Sequence, residues 1–206
     1  MLEYLSGAVR TSVVTLALCG FAYPFAVTVV GQLAMPYRAN GSIVRSADGR
    51  IIGSQLIGQQ WNDPQWFHGR PSATVAPDPH DPAKTVDAPY NAANTTASNL
   101  GPTSKALQER LSASRKTLEA ADPQLVGKLL PADMLTASGS GLDPDITPAN
   151  ALLQVARVAK ARGVSPQQIA TLVRRHTTPR SLGVFGEPRV NVLELNLALE
   201  SAYPKR

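Results

Sequence analysis

The sequence predicts an α+β protein: a single N-terminal transmembrane helix followed by one extramembrane α/β domain with a β-hairpin start and a helical C-terminal half. Three observations support this. Residues 11–35 form an apolar run that contains no Asp, Glu, Lys, Arg or His. Two short apolar segments flank Asp48-Gly49, which is the pattern of a hairpin. From Ser104 onward, apolar residues recur at helical spacing between capping residues and glycines.

The apolar run is long enough to cross a bilayer, because about 20 helical residues at ~1.5 Å each span the ~30 Å hydrocarbon core. A secretory signal is the alternative, since Arg10 precedes the run. The run exceeds the ~7–15 residues of a signal core, however, and no small-x-small cleavage site follows it. We therefore predict a short N-terminal segment over 1–10, an uncleaved anchor over 11–35 and one domain over 36–206.

Small residues within the anchor predict close packing against another helix. Pro24 lacks an N–H and should loosen or kink the helix near its middle. Gly20 and Gly31 would let a neighbouring helix approach. Charges flanking the run set its orientation weakly, and the positive-inside rule leans toward a cytoplasmic C-terminal domain.

Composition excludes several classes of site. Cys19 is the only cysteine, so an intramolecular disulfide and a cysteine metal cluster are both excluded. The net charge is +5, and residues 1–100 are balanced with six basic and six acidic side chains, so the surplus lies entirely in the second half. Such an excess favours acidic lipid, nucleotide or a partner surface, but it is too small to diagnose nucleic acid.

The segment after the anchor starts with a hairpin and continues into irregular chain. The aromatic-rich residues 61–72 predict a loop whose rings pack on the core, with a ligand site as the alternative. Residues 74–104 contain five prolines and predict a long irregular connection. Helices are then predicted from Ser104, from Thr147 to a stop at Gly163, from Ser165 to about His176, and over 190–202.

Residues 138–144, SGSGLDP, are the best candidate for a ligand-binding loop. Two glycines and two hydroxyls shortly before a helix can present backbone N–H groups to a phosphate or another anion. A structural turn that leads into the helix is the alternative, because the Gly-Lys-Ser/Thr of a P-loop is missing. The candidate anion-binding residues are Ser138, Gly139, Ser140, Gly141 and Asp143.

Residues 149–176 also have the outline of a helix-turn-helix, which makes a membrane-tethered DNA-binding regulator a further alternative. A generic two-helix corner has the same outline. Signatures of an independent enzyme are missing, since the three histidines lie far apart and no HExxH or GxSxG occurs. The sequence predicts no catalytic residue and no metal site.

Several segments in a fixed order resemble one family. They are FHGRPSA (67–73), YNAANTTASNLGPTS (90–104), PADMLTASGSGLDPDITPANALLQVARVAKARG (131–163) and VNVLELNLAL (190–199), after one N-terminal anchor. Together they resemble the C subunit of the Kdp-type potassium-transporting P-type ATPase, the KdpC family, over essentially the whole chain.

The resemblance implies a non-catalytic accessory subunit of an ATP-driven potassium importer, needed for assembly and for coupling ATP hydrolysis to transport. It implies partners: a channel-like potassium-binding subunit, an ATP-hydrolysing P-type subunit and a small single-helix subunit, with no nucleic acid. It implies a bacterial-type inner membrane, a cytoplasmic N-terminus and an extracytoplasmic domain. The candidate partner-contact residues are Phe67, Arg70, Pro71, Tyr90, Asn91, Asn99 and Gly101.

The family is also described as a catalytic chaperone that raises the ATP affinity of the pump subunit, for which residues 138–144 would be the nucleotide contact. That alternative conflicts with an extracytoplasmic domain, because ATP is cytoplasmic. We expect no stably bound cofactor, ATP contact only in the chaperone alternative, and potassium to be handled by the partner subunits.

Overall fold

The computed structural model describes residues 2–205, and it divides into two compact units, Met1–Ser54 and Gln55–Arg206. The mixed helix-and-strand class predicted from the sequence is confirmed, as are the apolar N-terminal helix, the hairpin after it and the helical C-terminal part. Each unit is described separately.

The first unit is dominated by one long helix. Its segments are α1 (Leu2–Thr15), a π-helical turn (Leu16–Ala22) and α2 (Tyr23–Ala34), followed by a short α3 (Pro36–Ala39). The stretch Tyr4–Ala34 has the length and apolar composition needed to cross a membrane. None of its apolar window is buried within the chain, as expected of a surface that contacts lipid or another helix.

The predicted disturbance at Pro24 takes the form of the π-helical turn that directly precedes it. The Tyr23 N–H donates to the carbonyl of Leu18, five residues earlier, so the turn is wider than an α-helical one. Pro24 contributes no N–H, and its ring crowds the preceding turn, which favours such local widening. Spacings of four and seven residues place Gly20, Pro24 and Gly31 near one face of the helix.

The predicted hairpin is present and closes the first unit. Strand β1 (Ile43–Arg45) pairs antiparallel with β2 (Ile51–Ser54), and Ile43 lies opposite Ser54. Gly49 has a φ of +81°, the left-handed conformation that made the Asp48-Gly49 pair a turn signal.

The second unit contains two further small sheets. Strands β3 (Val75–Pro77) and β4 (Thr85–Asp87) form an antiparallel hairpin inside the segment predicted to be irregular. That prediction missed the hairpin because Pro77 lies at a strand end, where a proline is tolerated. Strands β5 (Asp145–Ile146), β6 (Thr177–Thr178) and β7 (Arg189–Asn191) form an antiparallel sheet with β7 in the centre.

Helices supply most of the second unit. They are α4 (Lys105–Ala121), a 3₁₀ turn (Pro123–Leu125), α5 (Ala132–Leu135), α6 (Pro148–Arg162), α7 (Pro166–Arg175) and α8 (Val192–Ala202). The main core is the set of buried side chains on α6, α7, α8, the central sheet and the aromatic loop, with Phe67, Val158, Ile169, Val190, Leu195 and Leu199 at most 2% exposed. A smaller cluster of Leu125, Leu130 and Met134 packs near α4.

The predicted helix boundaries on α6 and α7 agree with the structure because local signals encode them. The Thr147 side chain accepts from the Asn150 N–H, and Gly163 ends α6 with φ +67°. Ser165 and Gln168 form a capping box at the start of α7. The Gln168 side chain, which lies on the second helix of the helix-turn-helix interpretation, accepts from the Ser165 N–H.

Two predicted starts need correction. The last helix begins at Val192 and not at residue 190, because residues 189–191 pair in the central sheet and the Asn191 side chain caps the helix. Ser104 precedes α4 as predicted, but within the described chain its hydroxyl makes no capping bond. Its carbonyl accepts from the Gln108 N–H instead.

Candidate functional site

Most of the residues singled out from the sequence meet at one place, which we call the junction. It consists of residues 69–74, 88–96 and 137–145 together with Gly58, all within the second unit. Only short stretches of strand at its margins have regular structure, so its shape depends on side-chain hydrogen bonds and close backbone contacts.

Tyr90 is the centre of the junction. Its hydroxyl donates to the carbonyl of Arg70 at 2.7 Å, and its N–H donates to Ser72 Oγ at 3.0 Å. The ring lies against Gly58 and Gly69 so closely that a Cβ on Gly58 would be 2.5 Å from Tyr90 Cε1. Glycine is therefore required at Gly58 to accommodate the ring.

Burial raises the pKa of the Tyr90 hydroxyl to about 12, and the nearby negative charge of Asp143 acts in the same direction. The positive charge of Arg70 opposes this shift. Tyr90 is therefore protonated, and able to donate its hydrogen bond, throughout the physiological pH range.

Arg70 and Asp143 form a half-buried ion pair across the junction. Arg70 Nη1 lies 2.9 Å from Asp143 Oδ2, and the two side chains are 24% and 28% exposed. The second carboxylate oxygen of Asp143 accepts from the Asp145 N–H at 3.0 Å. The pair thus connects the FHGRPSA segment to the SGSGLDP loop.

The backbone groups of the SGSGLDP loop make hydrogen bonds within the loop and to residue 96. The Gly141 N–H donates to Ser138 Oγ at 2.9 Å, and the Leu142 N–H donates to Ser140 Oγ at 3.1 Å. The Ser140 carbonyl accepts from the Thr96 N–H at 3.1 Å. These two N–H groups, predicted to face an anion, therefore bond within the loop. The Ser140 carbonyl joins the loop to residues 88–96.

Gly141 and Gly139 have different surroundings within this loop. Gly141 has a φ of +70°, and a Cβ there would lie 2.7 Å from both Thr74 Cγ2 and the Thr96 carbonyl. Gly139 is exposed and has nothing within 4 Å of a Cβ. Only Gly141 is fixed by packing.

The N-terminus of α6, to which the loop leads, already holds a carboxylate. Asp133 is 7% exposed. Its Oδ2 accepts from the Thr147 N–H at 2.7 Å and from Asn150 Nδ2 at 3.0 Å. A negative charge is favourable at a helix N-terminus, and here the chain provides that charge itself.

The predicted partner-contact residues separate into buried and exposed groups. Phe67 is 0% exposed, so its side chain belongs to the core and cannot contact a partner in this conformation. Arg70, Pro71, Tyr90 and Asn91 are partly buried in or beside the junction. Asn99 and Gly101 are exposed. Among the predicted residues, these last two offer the freest surface.

Asn91 holds the chain that follows β4 against β3. Its Nδ2 donates to the Val75 carbonyl at 2.8 Å, and its N–H donates to Thr74 Oγ1 at 3.1 Å. Thr74 is 1% exposed and also donates to the Ala88 carbonyl at 2.6 Å. Sequence reasoning missed Thr74, because a lone threonine carries no motif.

Two amides from distant helices fix the FHGRPSA segment, and sequence reasoning missed both. Asn196 of α8 exchanges hydrogen bonds with the backbone of Phe67, accepting from its N–H at 2.8 Å and donating to its carbonyl at 3.0 Å. Gln154 of α6 does the same for His68, at 2.8 and 3.0 Å. A polar residue on an apolar helix face was the only available signal.

His68 lies beside the partly buried guanidinium of Arg157, which donates to the carbonyls of Pro64 and Trp66. Burial lowers the pKa of the His68 imidazole, and the charge of Arg157 lowers it further. Among the described residues, no group of three or more His, Cys, Asp or Glu side chains could hold a metal ion.

Comparison with known proteins gives a consistent result. The family model described as KdpC: K⁺-transporting ATPase, c chain, matches residues 5–201. A potassium-transporting ATPase KdpC subunit of Rhodopseudomonas palustris (strain ATCC BAA-98 / CGA009) is 54% identical over 205 residues, covering 100% of both chains. The KdpC subunit of Bradyrhizobium diazoefficiens is 51% identical over the same extent, and that of Methylobacterium nodulans is 50% identical over 97% of this chain and 98% of its own.

Proposed function

The chain belongs to the KdpC family, the c chains of K⁺-transporting ATPases, and we propose that it acts there as a non-catalytic assembly and coupling subunit. In this role the anchor helix holds a rigid extramembrane domain at the pump. The domain engages the channel-like potassium-binding subunit, while a separate P-type subunit hydrolyses ATP.

The observation that carries the proposal is that the junction uses its polar groups internally. The Gly141 and Leu142 N–H groups are bonded within the loop, and Asp133 occupies the start of α6. Direct phosphate binding would require these groups to exchange partners, and Asp133 would repel the incoming anion. A structural role for the SGSGLDP loop requires no such rearrangement.

We further propose that the domain is extracytoplasmic and the N-terminus cytoplasmic. A domain on that side cannot touch cytoplasmic ATP. Its effect on the pump would pass through assembly, since a subunit that binds one pump conformation better than another changes apparent nucleotide affinity. The helix face that carries Gly20, Pro24 and Gly31 is the candidate contact through which this effect reaches the membrane part of the pump, because small residues permit close helix packing.

We propose that the exposed part of the irregular segment, including Asn99 and Gly101, contacts the channel-like subunit. Tyr90 and Asn91 hold the start of this segment against the domain. Arg70 shapes it indirectly, through the ion pair with Asp143 and the carbonyl that Tyr90 binds. A surface held in this way binds with a small entropic cost.

Alanine variants of Ser138, Ser140 and Asp143 in the intact complex test the proposal. Complex recovery and the ATP concentration for half-maximal potassium-stimulated hydrolysis are measured for each. We expect recovery to fall while the assembled fraction keeps its ATP dependence. Intact assembly with a selective loss of ATP affinity would instead support direct nucleotide contact and overturn the proposal.

A further inference from the structure

The connection between β6 and β7 ends in an exposed cluster of large apolar side chains. Residues 182–186, Leu-Gly-Val-Phe-Gly, contain no polar side chain, and we call them the apolar tip. Leu182, Val184 and Phe185 are 90%, 69% and 66% exposed. Scattered exposed apolar residues are ordinary, but three within four positions at the end of a loop indicate a contact surface.

Backbone hydrogen bonds within the loop hold the apolar tip in shape. Ser181 and Phe185 exchange N–H to carbonyl bonds at 2.8 and 2.9 Å. The Val184 N–H donates to the Ser181 carbonyl, and the Gly183 N–H donates to that of Arg180. Entry into an apolar phase requires such internal satisfaction, because an unpaired backbone group is costly there.

The flank of the apolar tip is basic. Residues 174–189 contain four arginines and one glutamate, an excess of three positive charges. At the base of the tip, Arg180 Nη2 lies 2.8 and 2.7 Å from the two carboxylate oxygens of Glu187. Arg189 pairs with Asp145 at 3.1 Å, and Arg174 and Arg175 are exposed at the end of α7. An apolar end with a basic surround matches a bilayer surface whose phosphates are negative.

We propose that the apolar tip inserts into the interfacial layer of an anionic phospholipid bilayer while the exposed Arg174 and Arg175 face the lipid phosphates. The chain carries its own membrane helix, so the domain meets the bilayer at a high effective concentration and a small contact is sufficient. This second attachment would limit rotation of the domain about its tether. The inference goes beyond the proposed function and holds for either orientation of the chain.

The test uses the full-length chain with Phe185→Trp, reconstituted in vesicles that contain phosphatidylglycerol and lipids brominated on the acyl chains. Trp61 and Trp66 are present in every sample, so each variant is compared with the parent chain. Leu129→Trp is the matched control, because Leu129 is also an exposed apolar loop residue, at 93% against 66% for Phe185. Neither substitution alters a buried site.

We expect the tryptophan at position 185 to show blue-shifted emission and loss of intensity from brominated lipid, and the one at position 129 to show neither. Adding Arg174→Gln and Arg175→Gln should reduce the loss, as should replacing phosphatidylglycerol by phosphatidylcholine. Equal quenching at both positions, or none at 185, would overturn the proposal.

A pocket on a partner protein is the rival occupant of the apolar tip. A photo-crosslinking amino acid in place of Phe185 in the intact complex distinguishes it. Adducts to lipid support the proposal, and adducts only to another subunit contradict it. Brominated lipid occupies both leaflets, so the quenching result does not depend on which side of the membrane the domain lies. A failed quenching test would therefore overturn the membrane contact alone, and the assembly role would still be judged by complex recovery and ATP dependence.

Discussion

Replacing Tyr90 by Phe removes one oxygen from the centre of the junction and leaves the ring between Gly58 and Gly69. The lost bond is the 2.7 Å contact with the Arg70 carbonyl. A hydrogen bond lost in this way costs about 1 kcal/mol, and roughly 1–3 kcal/mol where its partner stays buried and unpaired. At ~2–4 °C per kcal/mol for a chain of this size, a cost of about 1–2 kcal/mol lowers Tm by roughly 2–8 °C.

The same substitution changes the alkaline pH dependence of stability. The folded pKa of Tyr90 is about 12 against an ordinary 10.0, so its contribution is complete below pH 10 and is lost as pH rises toward 12. At ~1.4 kcal/mol per pKa unit, this loss is about 2–3 kcal/mol in the parent chain. The Phe variant lacks the group and should lose less stability over that interval.

Thermal unfolding of the purified full-length chain, followed by circular dichroism from neutral to alkaline pH, measures both effects. Tyr203→Phe is the matched control, because the contact of Tyr203 with Arg162 is through its backbone carbonyl. The Tm deficit of Tyr90→Phe should shrink and then reverse above pH 10. Parallel pH profiles for parent and variant, or an unchanged Tm near neutral pH, would refute the assignment of Tyr90 as a buried donor.

Three other sites, one with a matched control, have clear expected outcomes. Gly141→Ala should lower Tm strongly, because its Cβ would lie 2.7 Å from backbone and side-chain atoms at a residue whose φ is +70°. Gly139→Ala is the control and should leave Tm unchanged. Equal changes in Tm would contradict the packing argument. Asn196→Ala leaves the N–H and the carbonyl of Phe67 unpaired, which should lower the free energy of unfolding by roughly 1–3 kcal/mol for each group. A variant that unfolds at the parental Tm would contradict a stabilising role for these two hydrogen bonds. Arg70→Ala should reduce recovery of the complex, and full recovery with full potassium-stimulated ATPase activity would exclude an interface role.

Local signals made much of the fold predictable. Thr147, Gly163 and Ser165 determine helix ends through bonds within a few residues, so the sequence alone placed α6 and α7. The turn at Asp48-Gly49 was predictable for the same reason. Val190 was assigned to the last helix because its apolar side chain fits either element, and only pairing with β5 and β6 decides for the strand.

The site was predictable as a set of segments but not as a geometry. Arg70 and Tyr90 were singled out by the family resemblance and Asp143 by the SGSGLDP loop, whereas their mutual contacts join residues 20 to 73 positions apart. No periodicity encodes such contacts. The glycines and hydroxyls of SGSGLDP are compatible in sequence with an anion loop and with a turn, and the bonding of the Gly141 and Leu142 N–H groups within the loop could not be read from the sequence.

The domain is proposed to act on the pump without contacting ATP. This proposal is tested best by the side of the membrane on which the domain lies. A reporter that is active on only one side of the membrane, fused after the last residue of the full-length chain in cells that produce the whole complex, measures this. An extracytoplasmic reporter signal is the result that our account predicts. A cytoplasmic signal would contradict it, and would make direct nucleotide contact through residues 138–144 the better explanation of their glycines and hydroxyls.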